Sequence, residues 1–212
     1  MLLWLAIAVF GLAASIVYLV NAPEREAIDV ALESHSVPRS KVGVLTVCMR
    51  GDVEDWSAYC LIAPERVWCY GPRYLTAFRD RAAGAKISSD DTALQRYIRP
   101  VLMWNDIAFA VLTGAFAGLA DIGISSVVPN DTGQLIFGIL AIFGLVYGAV
   151  DVMEDFVLVR ILRSSSVITA DQAAAARMLT RLKMLTITIS LCGLALFLAL
   201  GIIRSVYRRF AQ

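Results

Sequence analysis

The sequence predicts an integral membrane protein that is mainly α-helical, with four transmembrane helices and a small α+β extramembrane domain between the first and second spans. Hydrophobic residues make up 58% of the 212 residues, and the mean hydropathy is +0.69. Soluble domains contain roughly 45 to 50% apolar residues. Four apolar runs reach the length of about 20 residues that a helix needs to cross the hydrocarbon core. The one long polar stretch, residues 22–100, lies between the first two runs.

These runs divide the chain into four ranges. Residues 1–21 are a transmembrane anchor, which we expect to stay uncleaved because residues 20–22 make a poor signal-peptidase site. Residues 22–100 form the α+β domain, residues 101–203 a three-helix transmembrane bundle, and residues 204–212 a basic tail. Because only five residues separate the second and third spans, we expect those two helices to form an antiparallel hairpin.

The polar range is predicted to contain short helices and a three-stranded meander. Residues 41–49, 56–63 and 66–70 are rich in β-branched and aromatic residues, and turn-forming segments separate them. The expected register places Cys60 opposite Cys69, a pair suited to a disulfide if the compartment is oxidising. The alternative is that both are ordinary half-buried thiols.

Glycines four residues apart occur in the second and third spans. They form two GxxxG pairs, Gly114 with Gly118 and Gly144 with Gly148. Small residues at this spacing let helices approach closely in lipid, where no hydrophobic force drives helices together. The pattern therefore predicts helix packing at these four positions.

Composition and missing motifs exclude several function classes. The net charge is +1, and the basic residues form no nucleic-acid-reading motif, so we expect no nucleic-acid partner. The single histidine and the irregularly spaced cysteines match no zinc signature, and the nucleotide-binding, zinc-protease and serine-hydrolase motifs are absent. We therefore predict no metal, no cofactor and no catalytic residue.

The distribution of basic residues favours one orientation. With the N-terminus outside, the cytoplasmic segments 22–100 and 156–183 carry eleven and five Lys or Arg residues, against three in the external tail. Cytoplasmic segments of membrane proteins are enriched in Lys and Arg. The sequence therefore predicts that residues 22–100 lie in the cytoplasm and that their thiols are reduced.

Charged residues collect where three spans reach one membrane level. Carboxylates near hydrocarbon are costly unless they are paired, hydrated or bound to a ligand. The expected cluster could be an ion-pair network that fixes the bundle, a divalent-cation site, or a headgroup or proton-handling site. Asp121 is not expected to join it, because roughly 22 Å of helix separates Asp121 from Asp106. The members of the cluster are Asp106, Asp151, Glu154, Asp155, Arg181 and Lys183.

Part of this cluster carries a resemblance. A span that ends in DxxE and a next span that opens with TxxK resemble small, uncharacterised bacterial multi-pass membrane proteins. The matching residues are Asp151, Glu154 and Leu158, then Thr180 and Lys183. Those proteins usually have Asn where this chain has Asp155. The resemblance covers about residues 101–203, implies a location in the bacterial inner membrane, and implies no established activity.

Three functions remain open from the sequence. The leading hypothesis is a non-enzymatic accessory, assembly or scaffold component of a membrane complex, whose partners are the lipid bilayer and other membrane proteins or a second copy. The second is a small cation- or proton-coupled transporter or channel component that uses Asp106, Asp151 and Glu154. The third is an enzyme that acts on lipid headgroups, for which the sequence offers no credible nucleophile.

Overall fold

The computed structural model describes residues 2–33, 48–49, 68–69 and 71–210, which are mainly helical. Two short strands, β1 (Cys48–Met49) and β2 (Trp68–Cys69), pair in antiparallel orientation. A π-helix, Tyr97–Asp106, lies between α3 and α4. The α-helices are α1 (Leu2–Glu33), α2 (Pro72–Gly84), α3 (Ala93–Arg96), α4 (Ile107–Ser125), α5 (Asp131–Arg163) and α6 (Ala170–Phe210).

Four helical segments are long and apolar enough to cross a membrane. They are Leu2–Leu32, Ala93–Ser125, Asp131–Arg163 and Ala170–Ala199. The prediction of a multi-pass membrane protein with four spans is therefore confirmed at this level. Helix α6 continues to Phe210, so residues 204–210 of the predicted basic tail belong to this helix.

Two prolines lie inside continuous helical segments. Helix α1 continues through Pro23, so the first apolar run and the beginning of the polar range form one helix. Helical structure also continues through Pro100, which lies in the π-helix. Proline lacks the N–H that an α-helix needs and its ring crowds the preceding turn, whereas a wider π-helical turn is a known way to accommodate such a disruption.

The chain divides into two compact units. Within the described residues, the first contains residues 2–15, 109–151 and 181–210, and the second contains those in 16–108 and 152–180. These units cut across the four sequence ranges. The second unit includes parts of α1, α5 and α6 together with α2 and α3.

The second unit is built around one hydrophobic core. Side chains from the end of α1 and from α2 and α3, such as Ile28, Leu75 and Ala93, belong to the same buried cluster as Leu162 of α5 and Ala176 of α6. The separate α+β domain predicted for residues 22–100 is not supported, because the described helices of that range share their core with the ends of α5 and α6.

Only part of the predicted cysteine pairing falls on described residues. In the β1–β2 pair, Cys69 stands opposite Cys48, and Met49 stands opposite Trp68. Cys60 lies outside the described residues, so the expected Cys60–Cys69 pair is not among the described contacts.

In the first unit, α4 and α5 approach through glycine. A Cβ atom added to Gly114 would lie 2.9 Å from the Gly148 Cα, and one added to Gly144 would lie 2.6 Å from the Gly118 backbone N. No side chain could fit at either place without moving the helices apart. The four glycines singled out in the sequence therefore lie at one backbone-to-backbone contact.

Candidate functional site

The candidate site consists of polar side chains buried among apolar helices. Each residue as a whole is at most 5% exposed, although burying such a group without a partner is costly in apolar surroundings. Some belong to the first compact unit and some to the second, and each set is described by itself. They are Asn21, Asp106, Asp121, Asp151, Glu154, Asp155, Lys183, Thr186 and Ser190.

Asp106, in the second unit, is held by α1. It is the last residue of the π-helix, and its Oδ1 accepts hydrogen bonds from Arg25 at 2.7 Å and from Asn21 Nδ2 at 3.3 Å. Asn105 Nδ2 donates to Asn21 Oδ1 at 2.9 Å. The Arg25 guanidinium also lies over the Tyr18 ring, 5.6 Å from its centroid. The Arg25 guanidinium and the Asn21 amide thus compensate this carboxylate for lost water, and Asn105 in turn holds the Asn21 side chain.

Glu154, also in the second unit, contacts α6. Thr180 Oγ1 donates a hydrogen bond to Glu154 Oε1 at 2.6 Å. Asp155, the next residue of α5, is buried as well. Because hydrogen bonds to a carboxylate are stronger than bonds between neutral groups, this contact joins α5 and α6 firmly.

In the first unit, Asp151 and Lys183 form a buried ion pair. Lys183 Nζ donates to Asp151 Oδ1 at 2.7 Å, and the two side chains are 5% and 7% exposed. Removing one partner of a buried pair leaves an uncompensated charge, so each residue depends on the other. The pair is a second side-chain contact from α5 to α6.

Asp121 of α4 lies in the first unit. Ser190 Oγ donates to Asp121 Oδ2 at 2.7 Å. Asp121 Oδ1 is also buried, and in the described part of the chain it accepts no hydrogen bond. One oxygen of this carboxyl group is therefore available to a proton or to a ligand that donates a hydrogen bond.

One face of α6 carries the polar partners of the first unit. Lys183, Thr186 and Ser190 are buried and follow one another at spacings of three and four residues, which places them on one side of the helix. They extend over roughly 10 Å of α6 at 1.5 Å per residue. Lys183 contacts Asp151 at one end and Ser190 contacts Asp121 at the other.

The structure gives the predicted cluster residues different environments. Arg181, expected beside the carboxylates, is exposed, whereas Lys183 is buried. Two partners that sequence reasoning missed are Asn21 and Arg25, and the available signal was a polar and a basic residue directly after the first apolar run. Ser190 was missed too, because a lone serine in a span carries little signal by itself.

Within the described ranges, no three His, Cys, Asp or Glu side chains converge in a way that could hold a metal ion. The contacts of the buried groups support ion pairing between helices, and Asp121 Oδ1 leaves one position for a proton or a hydrogen-bond donor. No protein-family model, no curated protein and no solved structure matches the chain.

Proposed function

We propose that this protein is a non-enzymatic membrane scaffold, an accessory or assembly component of a larger membrane complex. The observation that carries the proposal is that charged groups buried on α5 and α6 are engaged by side chains of the same chain. Lys183 pairs with Asp151, and Thr180 bonds to Glu154. Such contacts are sufficient to fix one helix against another without a ligand.

These four residues are among the five that carry the resemblance to small bacterial membrane proteins. The contacts join positions three residues apart on each helix, in opposite chain directions, as two antiparallel helices require. We therefore interpret the DxxE and TxxK motifs as a helix-pairing device. A structural role of this kind agrees with the resemblance, which implies no established activity.

For the scaffold, we propose the bacterial inner membrane, with the N-terminus outside and residues 22–100 in the cytoplasm. The excess of basic residues in 22–100 and 156–183 supports this orientation. Cys48, Cys60 and Cys69 should then react with a membrane-impermeant maleimide only after the cells are permeabilised. If these cysteines were labelled in intact cells, the opposite orientation would hold.

The test of the scaffold function is isolation of the full chain from its native membrane in a mild detergent. We expect a stoichiometric assembly, either with other membrane proteins or with a second copy. A monodisperse monomer without a stoichiometric partner, before and after cross-linking in the membrane, would refute the proposal.

A second candidate function is coupling to a proton or a small cation. The observation that favours it is the partly unsatisfied Asp121 carboxyl group, together with the polar face of α6 that reaches from Ser190 to Lys183. Ionisable groups buried within a membrane commonly belong to ion or proton pathways. A transporter of this kind would use Asp121 and Asp151.

One pair of variants separates the two functions. Replacing both partners of the ion pair, Asp151→Leu with Lys183→Leu, removes the charges without leaving one unpaired, and such replacements are often neutral for stability. A scaffold should keep its assembly in this variant. A proton or cation pathway should lose flux into liposomes in this variant and in Asp121→Asn, while Asp131→Asn, at an exposed carboxylate, should leave flux unchanged.

A further inference from the structure

The second unit contains an open cavity at the place where the surfaces of its helices change from apolar to basic. Its volume is about 680 Å³, and Arg96, Arg99 and Arg163 border it together with the carboxylates of Glu24 and Asp91. All five residues belong to the second unit. Neither the scaffold function nor the proton pathway uses this cavity.

The charges around the cavity are unevenly compensated. Arg96 pairs with Glu24 at 3.2 Å and with Asp91 at 3.5 Å, so both wall carboxylates are engaged by one arginine. Arg99 and Arg163 are exposed, and in the portion of the chain that the structure describes they form no ion pair. Arg163 makes one side-chain contact there, with Met103 Sδ at 3.2 Å. Two guanidinium groups are thus available to an anion.

The cavity lies at the level where hydrocarbon should give way to headgroups. Trp104 is 72% exposed and follows Arg99 by five residues, and aromatic side chains concentrate at membrane interfaces. On α5, Phe156 is exposed and apolar, whereas Arg160, four residues later, is exposed and basic. Both helices therefore pass from an apolar to a basic surface within roughly one to two turns.

Apart from Gln95, the remaining residues that line the cavity are apolar. Leu94, Ile98 and Pro100 line the cavity on the side of α3 and the π-helix, and Leu162 lines it on the side of α5. A ligand that fits would combine an anionic group for the arginines with hydrocarbon for these walls. Arginine binds phosphate oxygens in bidentate geometry, and basic pockets beside membrane helices bind anionic lipid headgroups.

The geometry points to a binding site for a phosphate anion, supplied by an anionic phospholipid headgroup, with Arg99 and Arg163 as the groups that hold it. Phosphate diester oxygens accept from the two guanidinium groups, and the first part of an acyl chain lies against the apolar walls. The ion pairs of Arg96 keep the carboxylates from repelling the ligand.

The test uses the full-length protein in a neutral detergent with equal amounts of phosphatidylglycerol and phosphatidylcholine, and native mass spectrometry counts the bound lipids. We expect preferential binding of phosphatidylglycerol. Arg99→Gln with Arg163→Gln should weaken it by roughly 25-fold, about five-fold for each arginine. The matched control, Arg160→Gln with Arg181→Gln, removes two exposed arginines that do not line the cavity and should change binding less than two-fold, because salt screens exposed charges that do not contact the ligand.

Two further measurements complete the test. If inorganic phosphate competes with the lipid, and this competition is lost in the Gln variant, the site binds a soluble phosphate ligand. If phosphatidylglycerol binds without such competition, the site binds the lipid. Arg99→Lys with Arg163→Lys keeps the charge and should bind with intermediate affinity, which guards against misfolding in the Gln variant. Equal losses in the Gln variant and its control, or no loss in either, would overturn the proposal.

Discussion

At the scale of single residues, buried charge is the feature that most constrains this protein. Asp151, Lys183 and Asp106 are nearly inaccessible in helices with few other polar groups, so each depends on a partner a few ångströms away. Lys183 and Asp151 compensate one another, and Arg25 compensates Asp106. A carboxylate without such a partner would have to take up a proton or open the helices to water.

Charge reversal tests the Asp151–Lys183 pair. Asp151→Lys and Lys183→Asp should each lower the free energy of unfolding by about 3 to 5 kcal/mol, because each leaves two like charges buried together. The double swap should recover part of this loss, since it restores an opposite-charge pair. The measurement is unfolding of the purified protein in mixed micelles. If the double swap lost as much unfolding free energy as the two single variants together, the residues would not interact.

At the scale of helices, α4 and α5 are held by contact between backbones. Gly114 lies against Gly148, and Gly118 lies against Gly144, at distances that leave no space for a Cβ atom. Close approach increases dispersion contacts, which is how helices in lipid gain packing energy. The third span also contains Gly138, which has open space around its Cα atom.

The contrast between Gly144 and Gly138 gives a matched pair of variants on one helix. Gly144→Ala should destabilise the protein by about 1 to 3 kcal/mol, because the new methyl group meets backbone that cannot turn aside. Gly138→Ala should be neutral or slightly stabilising, since alanine favours helix more than glycine does. Thermal unfolding of both variants in the same detergent checks this. A loss at Gly138 as large as at Gly144 would contradict the packing argument.

At the scale of the whole molecule, segments distant in sequence share a core. The core of the second unit combines Ile28 of α1 and Leu75 of α2 with Leu162 of α5 and Ala176 of α6. The helices that the structure describes in the range 22–100 thus share their core with α5 and α6. We therefore expect that range to be less ordered when it is expressed alone.

Leu162→Ala tests this shared core. It should destabilise the second unit by about 2 to 5 kcal/mol, the usual range for deletion of a buried leucine side chain. Hydrogen exchange of the full chain should then accelerate in α2, although the substituted residue is on α5. Leu135→Ala, at a largely exposed position of the same helix, is the control and should leave exchange in α2 unchanged. Unchanged exchange in α2 in both variants would show that α2 folds independently.

Much of the fold could be predicted from the sequence because the physical signals were local. An apolar run of about 20 residues is long enough to cross a membrane as a helix, so four candidate spans followed directly from composition. The glycine spacing and the carboxylates at the end of the third apolar run were also visible. The partners of those carboxylates were harder to find, since Asn21 and Arg25 are 85 and 81 residues from Asp106 along the chain.

The sequence by itself therefore determined the membrane class, the four spans and most of the residues that cannot be exposed to lipid at low cost. Only the tertiary structure decided that Lys183 rather than Arg181 is buried against Asp151, that Ser190 meets Asp121, and that α2 and α3 share a core with α5 and α6. The physical reason is that hydrophobicity is summed along a local stretch of chain, whereas pairing depends on the rotation and register of helices that meet from distant parts of it.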